Sequence, residues 1–174
     1  LNISPEPPNL SEHHVRLPNE LAMILRADRA HMKGITGKGV RVVMIDSGFF
    51  PHPYYATKGY KIEYVPTKKE PNPEIDQYGH GTAMLANVFA IAPEAQVLVI
   101  KCMDRDPSLA LEKAISLQPD VLCCAWGFNI DHPGASGLPS GFRKMYRLFL
   151  KAIDEGIIVV AAAGNGQRAF PANI

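Results

Sequence analysis

The sequence predicts an α/β protein with a mostly parallel sheet that carries helices on both faces. Predominantly apolar runs such as Val40–Ile45, Gln96–Met103 and Ile157–Ala162 are typical of strands that are buried on both faces. These runs alternate with segments whose apolar residues recur at helical spacing, which places helices between successive parallel strands. With 174 residues, of which 47% are hydrophobic, the chain is long enough for one globular domain with a core.

The first part of the chain divides into an arm and the start of the domain. Residues 1–19 are rich in Pro, Asn and Ser, so we expect an extended N-terminal arm, with the domain at residues 20–174. Apolar residues at helical spacing predict a helix over residues 20–32. Glycines then interrupt the chain before the first strand, Val40–Ile45, which leads into Asp46.

The middle of the chain is predicted to contain one short strand and one helix. Residues 49–78 are rich in Pro, Tyr and Lys and predict only a short strand near Tyr60–Val65. Gly79-His80-Gly81-Thr82 then begins a helix that runs from His80 to about Phe89, and Pro93 follows it.

The last third continues the alternation. Asp106 is predicted to cap a helix that runs to about Leu117, with Pro107 at its first position. The run Val121–Trp126 predicts another strand, and Ile157–Ala162 predicts the last one.

The strongest helix pattern lies between these two strands, from Ser140 as cap to Gly156 as C-terminal stop. The predicted apolar face consists of Phe142, Met145, Tyr146, Phe149, Leu150 and Ile153. Basic residues on the other side are interpreted as a solvated face rather than a binding surface.

Composition excludes several classes of protein. The formal net charge is +1, so neither a strongly basic nucleic-acid binder nor an acidic tail is expected. No apolar run approaches the roughly 18 to 20 residues of a membrane span. The cysteines Cys102, Cys123 and Cys124 are too few for a disulfide framework and are interpreted as small buried side chains. No zinc-binding spacing occurs.

Three polar residues stand where parallel sheets gather ligands, just beyond strand ends. Asp46 follows the first strand, His80 lies between two glycines at a helix start, and Asn165 follows the last strand. Each alone has an ordinary interpretation: a turn or cap residue, a structural or surface-exposed histidine, and a left-handed turn. Together they could orient an imidazole, accept a proton and donate to an oxyanion.

Several segments, taken in order, resemble the motif blocks of the subtilisin-like serine proteases, the subtilases. They are Gly37–Val40, Val42–Gly48, Gly79–Thr82, Ala92–Ala95 and Val159–Asn165. The resemblance extends from about Ile24 to Ile174, and it implies a subtilisin-like fold and an activity that hydrolyses peptide bonds.

The resemblance also implies roles for individual residues. Asp46 would orient His80, His80 would exchange a proton with a serine nucleophile, and Asn165 would stabilise the oxyanion. The substrate would be a peptide or protein, bound as an added strand. The implied substrate-binding residues are Ala125, Trp126, Gly127, Ala162, Ala163 and Gly164. Trp126 could line a subsite or belong to the core.

The family's nucleophile is the feature that this chain lacks. The serines are Ser4, Ser11, Ser47, Ser108, Ser116, Ser136 and Ser140, and none has the Gly-Thr-Ser context of the family's nucleophile. We therefore expect the N-terminal portion of a subtilase catalytic domain, with the serine supplied by sequence beyond residue 174. This chain alone is expected to be inactive, with the C-terminal remainder of the domain as its partner.

Two further departures concern metal and substrate. Many subtilases carry a calcium-binding insertion in the helix after the His block, whereas here the segment runs directly to Pro93, so no metal and no cofactor is expected. At Ala125 the family commonly has Ser, which leaves fine substrate preference open.

Two other functions compete with the endopeptidase. The first is a catalytically inactive subtilase-like pseudoprotease or interaction module, which would not require Asp46, His80 and Asn165 together. The second is a nucleotide- or phosphate-binding protein, which would need a glycine-rich phosphate loop after the first strand; Asp46–Pro51 is not one. The family resemblance favours secretion, although no signal segment is recognisable.

Overall fold

The computed structural model describes residues 15–103, 107–126 and 140–162. Five strands and six helices occur in these residues. In chain order they are α1 (Asn19–Ile24), α2 (Ala27–His31), β1 (Arg41–Asp46), α3 (Pro53–Lys58), β2 (Lys61–Tyr64), α4 (His80–Ile91), β3 (Gln96–Lys101), α5 (Ser108–Ser116), β4 (Val121–Cys124), α6 (Ser140–Asp154) and β5 (Ile158–Ala161).

The five strands form one parallel sheet in the order β2-β3-β1-β4-β5. The register aligns Asp46 with Lys101, Ile45 with Cys124, and Cys124 with Ala161. The carboxyl ends of β1, β3, β4 and β5 therefore lie at the same edge of the sheet. This topology confirms the predicted fold class.

Alternate residues of β1 enter two different cores, as the two-residue period of a strand requires. Val43 and Ile45 pack in a cluster with buried residues of α5 and α6, whereas Val42 and Met44 pack with buried residues of α3 and α4. Helices thus cover both faces of the sheet, which explains why its central strands are continuously apolar.

The helix predicted over residues 20–32 is instead two short helices. Arg26 adopts a left-handed conformation, with φ 61°, and interrupts the chain between α1 and α2. Propensity did not reveal this break, because arginine is a good helix former.

Helix α3 was missed in a segment that its composition marked as irregular. The side chain of His52 accepts a hydrogen bond from the amide of Tyr54, Pro53 takes the first helical position, and Gly59 ends the helix at φ 69°. These are the usual signals of a helix start and stop, and here they lie close together around a short helix.

The apolar face predicted for α6 is only partly buried. Met145 and Phe149 pack against the core, whereas Tyr146, Leu150 and Ile153 are exposed in the part of the chain that the structure describes. The predicted pattern was therefore right about the helix but wrong about three of the five face residues whose burial the structure describes; the side chain of Phe142 lies outside that description.

The start of α5 is displaced slightly from its prediction. Pro107 is the N-cap rather than the first helical residue, and Asp106 lies outside the described residues.

The described helices include none that is both long enough and apolar enough to cross a membrane.

Candidate active site

Asp46 and His80 meet at the carboxyl edge of the sheet. The Nδ1–H of His80 donates to Oδ1 of Asp46 at 2.7 Å. The Asp46 carboxylate is buried, with 3% exposure, whereas the His80 side chain is 49% exposed. Because a carboxylate only accepts, the bond selects the tautomer that carries its proton on Nδ1. Nε2 is then the nitrogen available for proton exchange.

Asp46 and His80 are each held in position by the secondary-structure element that carries them. Asp46 is the last residue of β1, and its Oδ1 also accepts the backbone N–H of Ser47 at 2.7 Å. His80 is the first residue of α4. Gly48 allows the loop before α4 to approach the end of β1 closely. It has φ 135°, and a β-carbon there would overlap the carbonyl oxygen of Ile75.

Ser47 stands beside the pair but its hydroxyl is already engaged. Its Oγ donates to Oδ1 of Asp76 at 2.8 Å and accepts the backbone N–H of Gly81 at 3.0 Å. With these contacts the hydroxyl joins the loop before α4 to the start of that helix. This arrangement gives Ser47 a structural part and does not make it a nucleophile for His80.

An open cleft of about 630 Å³ lies in front of the pair. It is lined by Asp46, Ser47, Tyr78, Gly79, His80, Cys102, Met103 and Trp126. The large lining side chains are mainly apolar or aromatic, and the exposed imidazole is reached from the cleft. Such a concave surface with a few convergent polar groups is typical of a binding site.

Trp126 joins this cleft to the sheet. Its Nε1–H donates to the backbone carbonyl of Ile45 at 2.9 Å, and its ring packs against the core cluster on the α5 and α6 side. Trp126 therefore lines the cleft and packs against the core with the same side chain, and its part in a substrate subsite stays a prediction.

The remaining candidate substrate-binding residues lie at adjacent strand ends or outside the described residues. Ala125 directly follows β4, and Ala162 follows β5 with its amide donating to the carbonyl of Cys124 at 3.1 Å. The other candidates, Gly127, Ala163, Gly164 and Asn165, fall outside the described residues.

No disulfide joins Cys102, Cys123 and Cys124. Burial, and after it the neighbouring Asp46 carboxylate, raises the pKa of the Cys123 thiol. Burial also raises the pKa of the Cys124 thiol. Within residues 15–103, 107–126 and 140–162, no three His, Cys, Asp or Glu side chains gather as metal ligands would.

Sequence reasoning missed the residues that complete the cleft and its support. Tyr78 and Met103 line the cleft, and Asp76 anchors the loop before α4. Asp76 stands four residues before His80, and an acidic residue just ahead of a helix start is a recognisable capping signal.

The fold and this site define an α/β protein with a buried carboxylate that orients an exposed imidazole at the carboxyl edge of a parallel sheet. The chain belongs to the subtilase family, whose profile matches residues 37–173. This confirms the resemblance drawn from the motif blocks.

Curated relatives support the family assignment. The chain is 34% identical over 158 residues to Subtilisin E of Bacillus subtilis (strain 168), aligning 81% of this chain with 38% of that protein. It is 31% identical over 164 residues to Subtilisin Savinase of Lederbergia lenta, aligning 85% of this chain with 57% of that protein. It is also 26% identical over 167 residues to the Minor extracellular protease Epr of Bacillus subtilis (strain 168), with 86% and 23% covered.

Solved structures share the fold. A lanthipeptide protease superposes with a TM-score of 0.66 at 19% identity, over 83% of this chain and 45% of that chain. MycP1 from Mycobacterium smegmatis superposes with a TM-score of 0.56 at 19% identity, over 92% of this chain and 48% of that one. The chain thus spans about half the length of these proteins, and less than two fifths of Subtilisin E.

Proposed function

We propose that this chain is the Asp- and His-bearing part of a serine endopeptidase whose nucleophilic serine is supplied by sequence beyond residue 174. The single observation that carries the proposal is the 2.7 Å bond from His80 Nδ1–H to the buried Asp46 carboxylate. An imidazole fixed in this tautomer presents an unprotonated Nε2, as a general base for a hydroxyl must.

In the proposed reaction, Nε2 of His80 takes the proton of the serine hydroxyl as its oxygen attacks the peptide carbonyl. The tetrahedral intermediate collapses when the C–N bond breaks, and the imidazolium returns that proton to the leaving amine. Water then attacks the acyl-enzyme carbonyl while His80 takes a proton from it; the ester C–O bond breaks, the imidazolium returns that proton to the serine oxygen, and the acid product leaves. Asp46 stays ionised throughout and stabilises the imidazolium from its buried position.

The proposed substrate is a peptide whose backbone would pair with Ala125, Trp126 and Gly127. Ala162, Ala163 and Gly164 are proposed as the wall of the pocket for the residue before the scissile bond. The position of Ala125 and Ala162 directly after neighbouring strands supports this path. Asn165 is proposed to donate to the oxyanion. The apolar cleft beside His80 favours an apolar substrate side chain near the scissile bond.

The proposed partner that completes the enzyme is the remainder of the same catalytic domain. Helices cover the central strands, but apolar side chains of the edge strand β5 are exposed among the described residues: Ile158 is 62% and Val160 is 50% exposed. They align with the half-buried Val121 and Cys123 of β4. An apolar face at an edge strand favours further packing, and the remainder of the domain would supply it.

Hydrolysis of a peptide library by the full-length protein tests the proposal, with His80→Ala and a protein ending at residue 174 measured beside it. We expect cleavage by the wild type, loss of cleavage with His80→Ala, and none by the shorter protein. A folded full-length protein that cleaves no peptide would favour the pseudoprotease instead.

Because a relative is named an extracellular protease, we also propose secretion, which a culture-medium assay would test.

A further inference from the structure

Asp76 gathers an unusual number of donors in the loop before α4. Its Oδ1 accepts from the hydroxyl of Ser47 at 2.8 Å and from the amides of Gly79 at 3.0 Å and Tyr78 at 3.3 Å. Its Oδ2 accepts from the amide of Thr82 at 2.9 Å and from the Thr82 hydroxyl at 2.5 Å. One carboxylate therefore binds the chain on both sides of residue 80.

These contacts supply the cap that α4 otherwise lacks. The N-cap residue is Gly79, which has no side chain to accept from the first turn. Asp76 accepts the amide of Thr82 instead, and Ser47 accepts the amide of Gly81. A carboxylate at this end also interacts favourably with the positive end of the helix dipole. The first turn of α4 is thereby fixed in position.

The same contacts form a second bridge beside the Asp46–His80 bond. Ser47 is covalently next to Asp46, and Gly81 is covalently next to His80. The hydrogen bonds from Gly81 to Ser47 and from Ser47 to Asp76 therefore span the same gap as the carboxylate–imidazole bond. Movement of α4 away from β1 would have to break both bridges together.

We propose that Asp76 is a positioning residue that holds the His80 imidazole on Asp46 through Ser47 and the first turn of α4. Its catalytic consequence rests on the proposed function, whereas its structural consequence does not. Without Asp76 the imidazole would sample other orientations, and the proton would no longer be confined to Nδ1. A small displacement of a general base costs much more in rate than in substrate affinity.

The test uses full-length protein carrying ¹⁵N-labelled histidine, with the His80 signals assigned by their loss in His80→Gln. Asp76→Ala removes all the contacts, and Asp76→Asn replaces one of the two acceptor oxygens by an amide that can only donate. Asp120→Asn is the matched control, because Asp120 accepts a backbone N–H, that of Arg41 at 2.7 Å, at the opposite end of β1.

We expect the wild type and Asp120→Asn to show a single Nδ1–H tautomer of His80. Asp76→Ala should show mixed tautomers, and Asp76→Asn an intermediate state. Peptide hydrolysis by Asp76→Ala should have kcat lowered about tenfold or more, with KM changed less than about twofold. A folded Asp76→Ala protein with the wild-type tautomer and wild-type kcat would overturn the proposal.

A second variant covers the case in which Asp76→Ala does not fold. Ser47→Ala breaks the bridge to Gly81 but leaves Asp76 bound to Thr82, and it should also give mixed tautomers. A single Nδ1–H tautomer in Ser47→Ala would then overturn the proposal. If the wild type hydrolyses no peptide, the proposed function fails, while the imidazole spectra still decide the role of Asp76.

Discussion

Gly81 faces the end of β1 so closely that a β-carbon at position 81 would lie 2.9 Å from the β-carbon of Asp46 and would overlap the carbonyl oxygen of Gly48. The helix that carries His80 can therefore approach the aspartate only because residue 81 has no side chain. The hydrogen bond between Asp46 and His80 therefore requires a glycine at position 81.

Gly81→Ala should push the start of α4 away from β1. Because the obstructing atoms are backbone and a buried side chain, we expect a loss of about 1–3 kcal/mol in the free energy of unfolding. Urea unfolding of the full-length protein measures it. Ala83→Ser, which adds one atom at an exposed position two residues further along α4, should change the midpoint little. Equal stability of the two variants would refute the packing argument.

Asp46→Asn should preserve the fold and remove most of the activity. The amide can donate to Nδ1 and so move the imidazole proton to Nε2, which leaves the base unable to accept a proton. We expect kcat to fall about 10⁴-fold, as in serine proteases whose triad carboxylate becomes an amide. Steady-state kinetics with a peptide substrate measures this, and Asp120→Asn should remain at the wild-type rate. A loss below tenfold would contradict the assigned role of Asp46.

The charge of Asp76 should make stability depend on pH in the acid range. Partial burial acts to raise the pKa of Asp76, but hydrogen bonds from Thr82, Ser47 and Gly79 outweigh it and lower the pKa below its ordinary value. The unfolded chain then binds the proton more tightly than the folded chain does. This contribution to stability is therefore present above the ordinary carboxyl pKa and is lost as the pH falls through the folded value.

Thermal unfolding at several pH values from about 2 to 6 measures this effect. The melting temperature of the wild type should fall towards the acid end more steeply than that of Asp76→Asn. Parallel profiles of the two proteins would show that Asp76 has the same pKa in the folded and unfolded states.

Met103 should influence the choice of substrate. It lines the cleft beside His80 and is partly exposed there. Met103→Ala should raise KM severalfold for peptides with a bulky apolar residue near the scissile bond, with little change in kcat, since the lost contact is mainly one of binding. Met32→Ala, at a methionine 78% exposed, is the control. An unchanged KM would remove Met103 from the substrate site.

The sequence predicted the sheet because buried strands carry strong local patterns, whereas the contact between Asp46 and His80 was implied by the resemblance of their motif blocks to the subtilases. Buried strands are continuously apolar, and a parallel sheet brings their carboxyl ends to one edge. The break at Arg26 could not be predicted in this way, because it results from a left-handed backbone at a residue that favours helices.

The contact between Ser47 and Asp76 was also beyond pattern analysis, although the acidic residue before α4 is a recognisable capping signal. Ser47 and Asp76 are 29 residues apart, and nothing in either local sequence indicates that their side chains meet. The exposed part of α6 was mispredicted for a related reason: periodicity identifies an apolar face but does not indicate what covers it. The roles of Asn165, Gly127, Ala163 and Gly164 remain predictions.

The most direct measurement is mass spectrometry of the full-length protein after reaction with a fluorophosphonate. We expect one modified residue, a serine beyond residue 174, and a much slower reaction in His80→Ala. A folded protein with no modified serine, or with the label on a serine within residues 1–174, would contradict it.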